Sequence, residues 1–591
     1  MFGKLGVAQN ATSTHPSQER NGWSGHSSSQ MRTLSRLAVR AAPFLVIPLL
    51  ILLLVRSDLN QAGGLDAFVY AAYIHDYADL VARYGRTYYS TRLAHILPNA
   101  TAAFLFGDHA GYYLIRYILL MATTASIYTI ARRYSKPSAA WFVTLFFSTH
   151  VWLLREVFWD YYDASVVVFA LVGLALLLPR ANETIAHIGA GFAFAWAANG
   201  SPMGLVLAAL YAPTWLIDRR NLPWPKILKS LTATGVGFVL GYGVLIFAMK
   251  RLYPDGGWRF DEVTLAMLGY LLTGGGANWF MSLSTIFLDR NLYQALIFPF
   301  FLGIAACGLL ASLRGSAADR WNAVGAASFV VLTVTFFAVF HFILHWGVLA
   351  LHYYLIYALP AGILATSAFI GQWRPQGSHR PIVIAAAAFL VVHCAFWFSA
   401  HRLFPSPTER SSLLLPIALS MMAIAFVILG WLAVIGAKRM QKLTPAILFL
   451  VALLSGNSFF LQYDFAHLFG NGDRRQVEWD VRDGSLYLQR FVAARVPTTA
   501  AIRFWYGNRD VYLNSVQSVH LWGFSRLSSP TPSDAQMPFL DDGVRKHLAE
   551  TRYVVILGSD SEIETAQRAL QEAGLSMDVV ARGSFKGQSW P

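Results

Sequence analysis

About thirteen apolar runs, each close to the ~20 residues that an α-helix needs to cross the hydrocarbon core of a bilayer, constrain this chain more than any other feature. They lie at residues 38–55, 113–131, 139–157, 164–179, 184–199, 203–217, 230–249, 291–313, 321–344, 348–371, 381–400, 412–436 and 444–463. Of the 591 residues, 55% are hydrophobic and only 13% are charged, which excludes an ordinary soluble fold. The sequence therefore predicts an α-helical polytopic membrane protein.

The positive charges follow the connections between these runs. A formal net charge of +14 would suit a nucleic-acid-binding protein, but lysine and arginine are concentrated in alternate connections. The clusters are Arg32/Arg36/Arg40, Arg132/Arg133/Lys136, Arg180, Arg219/Arg220/Lys226/Lys229, Arg314/Arg320, Arg374/Arg380 and Lys438/Arg439/Lys442. Positive loops stay in the cytoplasm, so this pattern predicts a cytoplasmic N-terminus and a C-terminus on the outer side. Membrane lipids, and not nucleic acid, are the expected partners of these charges.

Composition divides the chain into three parts. Residues 1–31 are polar and rich in Ser, His and Gln, which predicts a disordered cytoplasmic tail. Residues 32–465 hold the apolar runs and form the predicted transmembrane domain, including a long outer loop at 57–112. Polar residues and prolines return in 466–591, which is predicted to be a small outer α/β domain.

Local patterns within this C-terminal part support the α/β prediction. Residues 553–557 read Tyr-Val-Val-Ile-Leu and predict a buried strand. Residues 561–573 predict a helix that Ser561 would cap, and 577–581 predict a second strand.

Acidic residues mark the outer side at two places. Asp66 follows the first apolar run, and Asp160 and Asp163 lie in the short outer turn after the third. Tyr70, Tyr73, Tyr77, Leu80 and Tyr84 follow Asp66 at steps of three and four, which predicts that they share one side of a helix. We expect such an aromatic stripe at the membrane interface, where aromatic rings sit at headgroup level.

Together with Tyr88, Tyr89 and Arg92, this placement of outer acids resembles the GT-C superfamily of integral membrane glycosyltransferases. The resemblance is closest to the bacterial protein O-mannosyltransferases and aminoarabinose transferases, and it covers about residues 32–465. An essential acid just beyond the first span and a second acid in the next outer loop characterise that family. The resemblance implies that Asp66, Asp160 and Asp163 are the catalytic candidates. His352 and Tyr353 stand where the family often has an Arg-Tyr pair.

The implied reaction moves one sugar, hexosyl or pentosyl, from a polyprenyl-phosphate donor to a glycan, lipid or protein acceptor in the periplasm. An ionised Asp66 would accept the proton of the acceptor hydroxyl as that oxygen attacks the anomeric carbon, which is worth about 10²- to 10⁴-fold. The donor phosphate needs positive charge and hydrogen-bond donors. The candidates for donor or substrate binding are Tyr88, Tyr89, Arg92, Arg116, Arg259, His352 and Tyr353.

Three alternatives remain open at this stage. Asp66 begins a helix and could simply cap its free N–H groups, a role worth about 1 kcal/mol. A transporter or flippase of lipid-linked envelope precursors would have similar spans, although no internal repeat is visible. A non-catalytic assembly protein could display the C-terminal domain.

The cofactor is unknown, and Asp160 or Asp163 could join Asp66 around a divalent metal. The resemblance implies a multi-pass protein of the bacterial inner membrane.

Overall fold

The computed structural model describes residues 42–53, 55, 66–84, 89–159, 161–178, 183–252, 297–313, 315–349, 352–372, 502–506 and 553–557, with a few isolated residues besides. The chain divides into two compact units, residues 1–47 and 48–591. The contacts described below all lie within the second unit.

The described part is almost entirely helical. Its helices are α1 (Ala42–Leu53), α2 (Asp66–Tyr84), α3 (Leu93–Phe106), α4 (Asp108–Tyr134), α5 (Pro137–Ser148), α6 (Val151–Phe158), α7 (Tyr162–Leu177), α8 (Glu183–Gly200), α9 (Pro202–Asp218), α10 (Trp224–Leu252), α11 (Ile297–Ser312), α12 (Ala317–Ala338) and α13 (Leu359–Gly371). A 3-10 turn (Tyr89–Thr91) precedes α3, a π-turn (Val339–Ile343) ends α12, and a 3-10 helix (His352–Ala358) leads into α13. Two strands, β1 (Ile502–Tyr506) and β2 (Tyr553–Leu557), complete the set.

The helices confirm a multi-pass membrane protein. Within the described residues, four helical segments are long and apolar enough to cross a bilayer: Asp108–Tyr134, Trp224–Leu252, Ala317–Ile343 and Tyr353–Gly371. Six further apolar helices are shorter, among them α3, α7, α9 and α1. The predicted spans at 381–400, 412–436 and 444–463 lie outside the described residues, so the count of thirteen stays a prediction.

Besides the predicted span 321–344, which ends in the π-turn, two predicted spans are not uninterrupted α-helices in their described residues. The predicted span 139–157 is divided into α5 and α6 at Thr149 and His150, and His150 Nδ1 accepts a hydrogen bond from the N–H of Trp152 at 3.3 Å, which caps α6. The predicted span 348–371 begins with the 3-10 helix and becomes α-helical only at Leu359. Hydropathy does not detect such breaks, because the residues around them stay apolar.

The predicted outer loop contains two of the helices, α2 and α3. Helix α3 turns directly into α4 at Gly107, whose φ of 80° lies in the left-handed region that favours glycine. The two helices pack closely there, since a Cβ at Gly111 would lie 2.6 Å from the carbonyl of Ala102. The described residues of this segment, 66–84 and 89–112, are therefore mostly helical.

Helices α8 and α9 form a hairpin at the Asn-Gly-Ser-Pro turn of residues 199–202. The Ser201 side chain accepts a hydrogen bond from the N–H of Met203 at 3.3 Å and caps α9, which begins with Pro202. An Asn-Gly-Ser-Pro sequence is compatible with either a tight turn or a break in one long element. The close approach of Gly204 to Ala197, 2.5 Å for an added Cβ, shows a tight turn.

Helices α8 and α10 pack with their backbones in contact. A Cβ added at Gly191 would lie 1.8 Å from the carbonyl oxygen of Thr234, and one at Gly237 would lie 1.9 Å from that of Ile188. Glycines allow this approach, as in many membrane helix pairs. Gly243 on the same helix has no atom within 4 Å of the added Cβ, so it lies on the opposite face of α10.

Arg219 joins four helices at the end of the bundle where α8 and α10 begin. Its side chain is buried, and Nη2 lies 3.1 Å from both the carbonyl oxygen of Leu177 and Nε2 of His187. Nη1 lies 3.5 Å from the Ser230 hydroxyl and 4.0 Å from the Glu183 carboxylate. The guanidinium thus holds the ends of α7 and α9 against the starts of α8 and α10.

Replacing Arg219 with lysine should destabilise the protein by about 1–3 kcal/mol, because a single ammonium group cannot contact acceptors on three helices at once. Thermal unfolding of purified protein measures the change. Arg220→Lys is the matched control, since Arg220 is an exposed neighbour that contacts only the carbonyl of Ile217 and the Trp321 ring among the contacts described here. Equal stability of the two variants would contradict the role given to Arg219.

The two strands of the C-terminal part pair in parallel. The register runs from Ile502 opposite Tyr553 to Tyr506 opposite Leu557. The predicted strand at 553–557 is confirmed, but the predicted helix 561–573 and strand 577–581 lie largely outside the described residues. The boundaries of the predicted tail (1–31), membrane domain (32–465) and α/β domain (466–591) stay predictions.

Candidate functional site

A cluster of aromatic rings lies where α2, the turn before α3 and the start of α7 meet. Tyr70 of α2 is completely buried at its centre. Its ring contacts those of Tyr89, His95, Tyr161 and Tyr162 edge to face, with centroids 5.4 to 5.7 Å apart. Such edge-to-face packing fixes ring positions closely. The cluster therefore joins two segments that are about 90 residues apart in the sequence.

Arg92 lies beside this cluster and is 2% exposed. Its guanidinium carbon lies 5.0 Å from the centre of the Tyr162 ring, and Nη1 donates to the carbonyl oxygen of Asn199 at 3.5 Å. The Asn199 side chain accepts from the N–H of Ala94 at 2.7 Å and donates to the carbonyl of Thr91 at 3.0 Å. Asn199 thereby anchors the segment around Arg92 to the turn between α8 and α9.

Arg116 is the second buried cation of the site, at 1% exposure. Nη1 donates to Oδ1 of Asn99 at 2.8 Å, Nη2 donates to the carbonyl oxygen of Trp159 at 3.4 Å, and the guanidinium lies 4.0 Å from the centre of the Tyr112 ring. The ring of Tyr112 is held in turn, because its hydroxyl donates to the carbonyl of Phe158. Arg116 therefore ties α3 and α4 to the segment after α6.

Asp163 is completely buried in the first turn of α7, and its Oδ1 accepts a hydrogen bond from the hydroxyl of Tyr357. The sequence predicted a short turn at Asp163, whereas the structure places this residue inside a helix and shields its side chain from solvent. Tyr357 lies in the 3-10 helix, 194 residues after Asp163 in the sequence. A carboxylate without solvent depends on such hydrogen bonds to stay ionised.

Tyr353 is a half-buried ring at the margin of the same cluster. Trp159 and Tyr161 stack on each other with centroids 4.3 Å apart, and the Tyr353 ring lies 5.9 Å from the first and 5.7 Å from the second. These rings form an aromatic wall next to Asp163 and Arg116. Aromatic walls suit the apolar faces of sugar rings and prenyl chains.

The structure brings five of the ten predicted site residues together: Tyr89, Arg92, Arg116, Asp163 and Tyr353. Asp66 is the first residue of α2 and His352 the first of the 3-10 helix, but their side chains lie outside the described part. Asp160, Tyr88 and Arg259 lie outside the described residues altogether. The functional roles given to all ten stay predictions.

The aromatic stripe of α2 lies on one side of the helix, as predicted, but it does not face the membrane. Tyr70, Tyr73, Tyr77 and Leu80 are all buried, and the side chain of Tyr84 lies outside the described part. The Tyr77 hydroxyl donates to the carbonyl of Ser90 at 2.9 Å, and burial raises the pKa of that phenol well above its usual range. The rings pack on neighbouring segments of the same layer, and this packing replaces the expected contact with headgroups.

Sequence reasoning did not find Asn199, Asn99, Tyr70 or Tyr357 as members of the site. Of these four residues, only Tyr70 belongs to a pattern described from the sequence, the aromatic stripe that follows Asp66. Each acts through contacts with distant segments, which no local pattern reveals. Within the residues that the structure describes, no group of three or more His, Cys, Asp or Glu side chains could hold a metal ion.

Replacing Tyr357 with phenylalanine should cost about 1–3 kcal/mol of stability, because the Asp163 carboxylate would keep its burial and lose a hydrogen bond. Thermal unfolding in detergent measures the loss. Asp163→Asn is the control, since its amide oxygen can still accept from Tyr357, and it should cost less than Asp163→Leu. Equal melting temperatures for Tyr357→Phe and the wild type would show that this bond contributes nothing.

The fold agrees with the resemblance drawn from the sequence at the level of fold alone, because it is similar to that of a solved membrane transferase. The supporting match is the crystal structure of the aminoarabinose transferase ArnT from Cupriavidus metallidurans bound to undecaprenyl phosphate. Its TM-score is 0.51 at 16% sequence identity, over 92% of this chain and 96% of that one.

Two further comparisons give lower scores. The apo state of the same ArnT matches with a TM-score of 0.46 at 15% identity, over 95% of this chain and 97% of that one. The archaeal oligosaccharyltransferase AglB from Archaeoglobus fulgidus, in complex with an inhibitory peptide and a dolichol-phosphate, matches with 0.41 at 12% identity, over 81% and 63%. No family model and no curated protein sequence matches this chain.

Proposed function

We propose that this protein is a glycosyltransferase that moves one sugar from a polyprenyl-phosphate donor to an acceptor at the periplasmic face of the bacterial inner membrane. The observation that carries the proposal is the buried polar cluster of Arg92, Arg116 and Asp163 within a GT-C fold. Ionisable groups in a membrane bundle are costly, and those that persist usually serve a substrate or ion.

The charges of the cluster suit a lipid phosphate. Arg92 and Arg116 place two permanent positive charges among aromatic rings, where low polarity strengthens their attraction for an anion. Their described hydrogen bonds go to carbonyl and amide oxygens, and these contacts hold the two guanidinium groups in position. A phosphate that gains negative charge as the sugar leaves would be stabilised by such a site.

Asp66 is the proposed general base. It is the first residue of α2, and Tyr70 follows it four residues later on the same helix. Residue 66 therefore lies about one helical turn from the aromatic cluster. A carboxylate at a helix N-terminus is kept ionised by the helix dipole, so capping and catalysis are compatible there. Asp163, held by Tyr357, would orient the acceptor or a neighbouring cation.

The donor phosphate is already a competent leaving group, so the reaction needs one base and no paired carboxylic acid. The acceptor hydroxyl loses its proton to Asp66, its oxygen bonds to the anomeric carbon, and the bond from that carbon to the phosphate oxygen breaks. The products are the glycosylated acceptor and polyprenyl phosphate. Trp159, Tyr161 and Tyr353 would line the sugar position.

Purified full-length protein in nanodiscs, supplied with a panel of polyprenyl-phosphate sugars and envelope glycan or lipid acceptors, tests the proposal. We expect polyprenyl phosphate and a glycosylated acceptor to form together, in equal amounts. The same donors, incorporated into the inner leaflet of proteoliposomes, test the alternative that the protein is a flippase. Movement of intact donor across the bilayer, with no formation of polyprenyl phosphate, would identify a flippase and overturn the proposal.

A further inference from the structure

An open groove lies between the starts of α8 and α10, at the opposite end of α8 from the Asn199 turn. Its volume is about 480 Å³. Six of its lining residues matter here: Thr184, Ile188, Leu228, Lys229, Thr232 and Val236. The groove is separate from the candidate site, since none of the aromatic or ionisable residues described there lines it.

The positions of the charged residues in α10 indicate how deep the groove lies in the bilayer. Lys229 and Lys250 enclose 20 residues, Ser230 to Met249, that carry no charge. At 1.5 Å per residue this stretch is about 30 Å long, which equals the thickness of the hydrocarbon core. Lys229 therefore lies at one headgroup level, with Thr232 and Val236 below it, one and two helical turns toward the membrane centre.

The lining changes character along this direction. Thr184 in the first turn of α8 and Lys229 in the second turn of α10 give the headgroup end a hydroxyl and an ammonium group. Ile188 and Val236 continue the groove with apolar surface toward the membrane centre. Leu228 is 64% exposed and Val236 47%, so this surface faces the surrounding lipid and not another part of the described bundle.

Positive charge predominates around the headgroup end. Arg220, Lys226 and Lys229 are exposed there, the Glu183 carboxylate lies 4.0 Å from Arg219, and the sequence has no acidic residue between Asp218 and Asp255. Exposed Trp224 stands beside them as an interfacial anchor. A ligand that matches this groove has an anionic head at the interface and an apolar chain that points into the bilayer.

We propose that the groove is a binding site for an anionic phospholipid of the surrounding leaflet. Lys229, supported by Lys226, would bind the lipid phosphate, and the hydroxyls of Thr184 and Thr232 would donate to its oxygens. One acyl chain would lie along Ile188 and Val236. The lipid would thereby cover the pair α8 and α10 next to the contacts that Arg219 makes between helices.

Native mass spectrometry of full-length protein, released from nanodiscs that contain equal amounts of phosphatidylglycerol and phosphatidylcholine, tests this proposal. We expect the wild type to retain phosphatidylglycerol preferentially. Lys229→Ala should lower that preference about fivefold, the usual effect of one interfacial lysine near anionic lipid. Lys250→Ala, an exposed lysine at the other end of the same helix, is the matched control and should lower the preference less, because the groove does not extend to it.

Val236→Trp gives an independent readout, because it fills the apolar part of the groove without touching the charges. It should reduce retention of both lipids, and Val236 is exposed enough for the protein to stay folded. Equal retention of the two lipids by the wild type, or equal effects of Lys229→Ala and Lys250→Ala, would overturn the proposal. Neither outcome depends on glycosyl transfer.

Discussion

Asp66→Asn is expected to lower the rate of sugar transfer by about 10²- to 10⁴-fold, the usual contribution of a general base. Asparagine has nearly the same shape as aspartate but cannot take the proton from an acceptor hydroxyl. The initial rate of polyprenyl phosphate release by purified protein, at saturating donor and acceptor, measures the effect. The melting temperature should fall by little, because asparagine also caps helix N-termini well.

Asp108→Asn is the matched control for this experiment. Asp108 is the first residue of α4, as Asp66 is of α2, so both variants remove a negative charge from a helix N-terminus. Asp108 lies 3.5 Å from His75 and takes no part in the proposed chemistry. We expect a rate near that of the wild type for Asp108→Asn. Full turnover by Asp66→Asn would leave Asp66 with a capping role alone.

Gly237→Leu is expected to cost about 3 kcal/mol or more, at the upper end of overpacking effects, because helix backbones cannot move aside as a flexible side chain can. An added Cβ would lie 1.9 Å from the carbonyl oxygen of Ile188, so α8 and α10 would have to separate. Thermal unfolding and gel filtration in detergent measure the loss of stability and of a monodisperse protein.

Gly243→Leu provides the comparison on the same helix. No atom lies within 4 Å of a Cβ added there, and the new side chain would face lipid. Its melting temperature should stay near that of the wild type. The two variants are matched because each replaces a helical glycine and gains the same helix propensity. Equal destabilisation by the two variants would show that the glycine at position 237 is not needed for the close packing of α8 and α10.

The helices could be predicted from the sequence because a membrane restricts the secondary structures that a chain can adopt. Backbone polar groups in lipid must be satisfied within the segment, so an apolar run of sufficient length becomes a helix. The predicted runs 164–179, 184–199 and 203–217 agree with α7, α8 and α9 to within two residues at each end. The break at His150 could not be predicted, since a single capping contact decides it.

The candidate site was only partly accessible to the same reasoning. Topology placed Arg92, Arg116 and Asp163 on one outer surface, and the structure brings them to the same cluster. The burial of Asp163 depends on Tyr357, and the position of Arg92 depends on Asn199, each more than 100 residues away. Such contacts follow from tertiary packing and leave no periodic signal. For the same reason the aromatic stripe of α2 was assigned to the membrane interface.

Photocrosslinking with an undecaprenyl phosphate that carries a photoreactive group next to its phosphate tests most directly whether the buried cluster binds the lipid phosphate. Labelled peptides from purified protein are identified by mass spectrometry, with and without excess unlabelled undecaprenyl phosphate. We expect protectable labelling of residues 66–116 and 159–163. Labelling confined to the groove between α8 and α10, or spread along the lipid-facing helices without protection, would contradict this account.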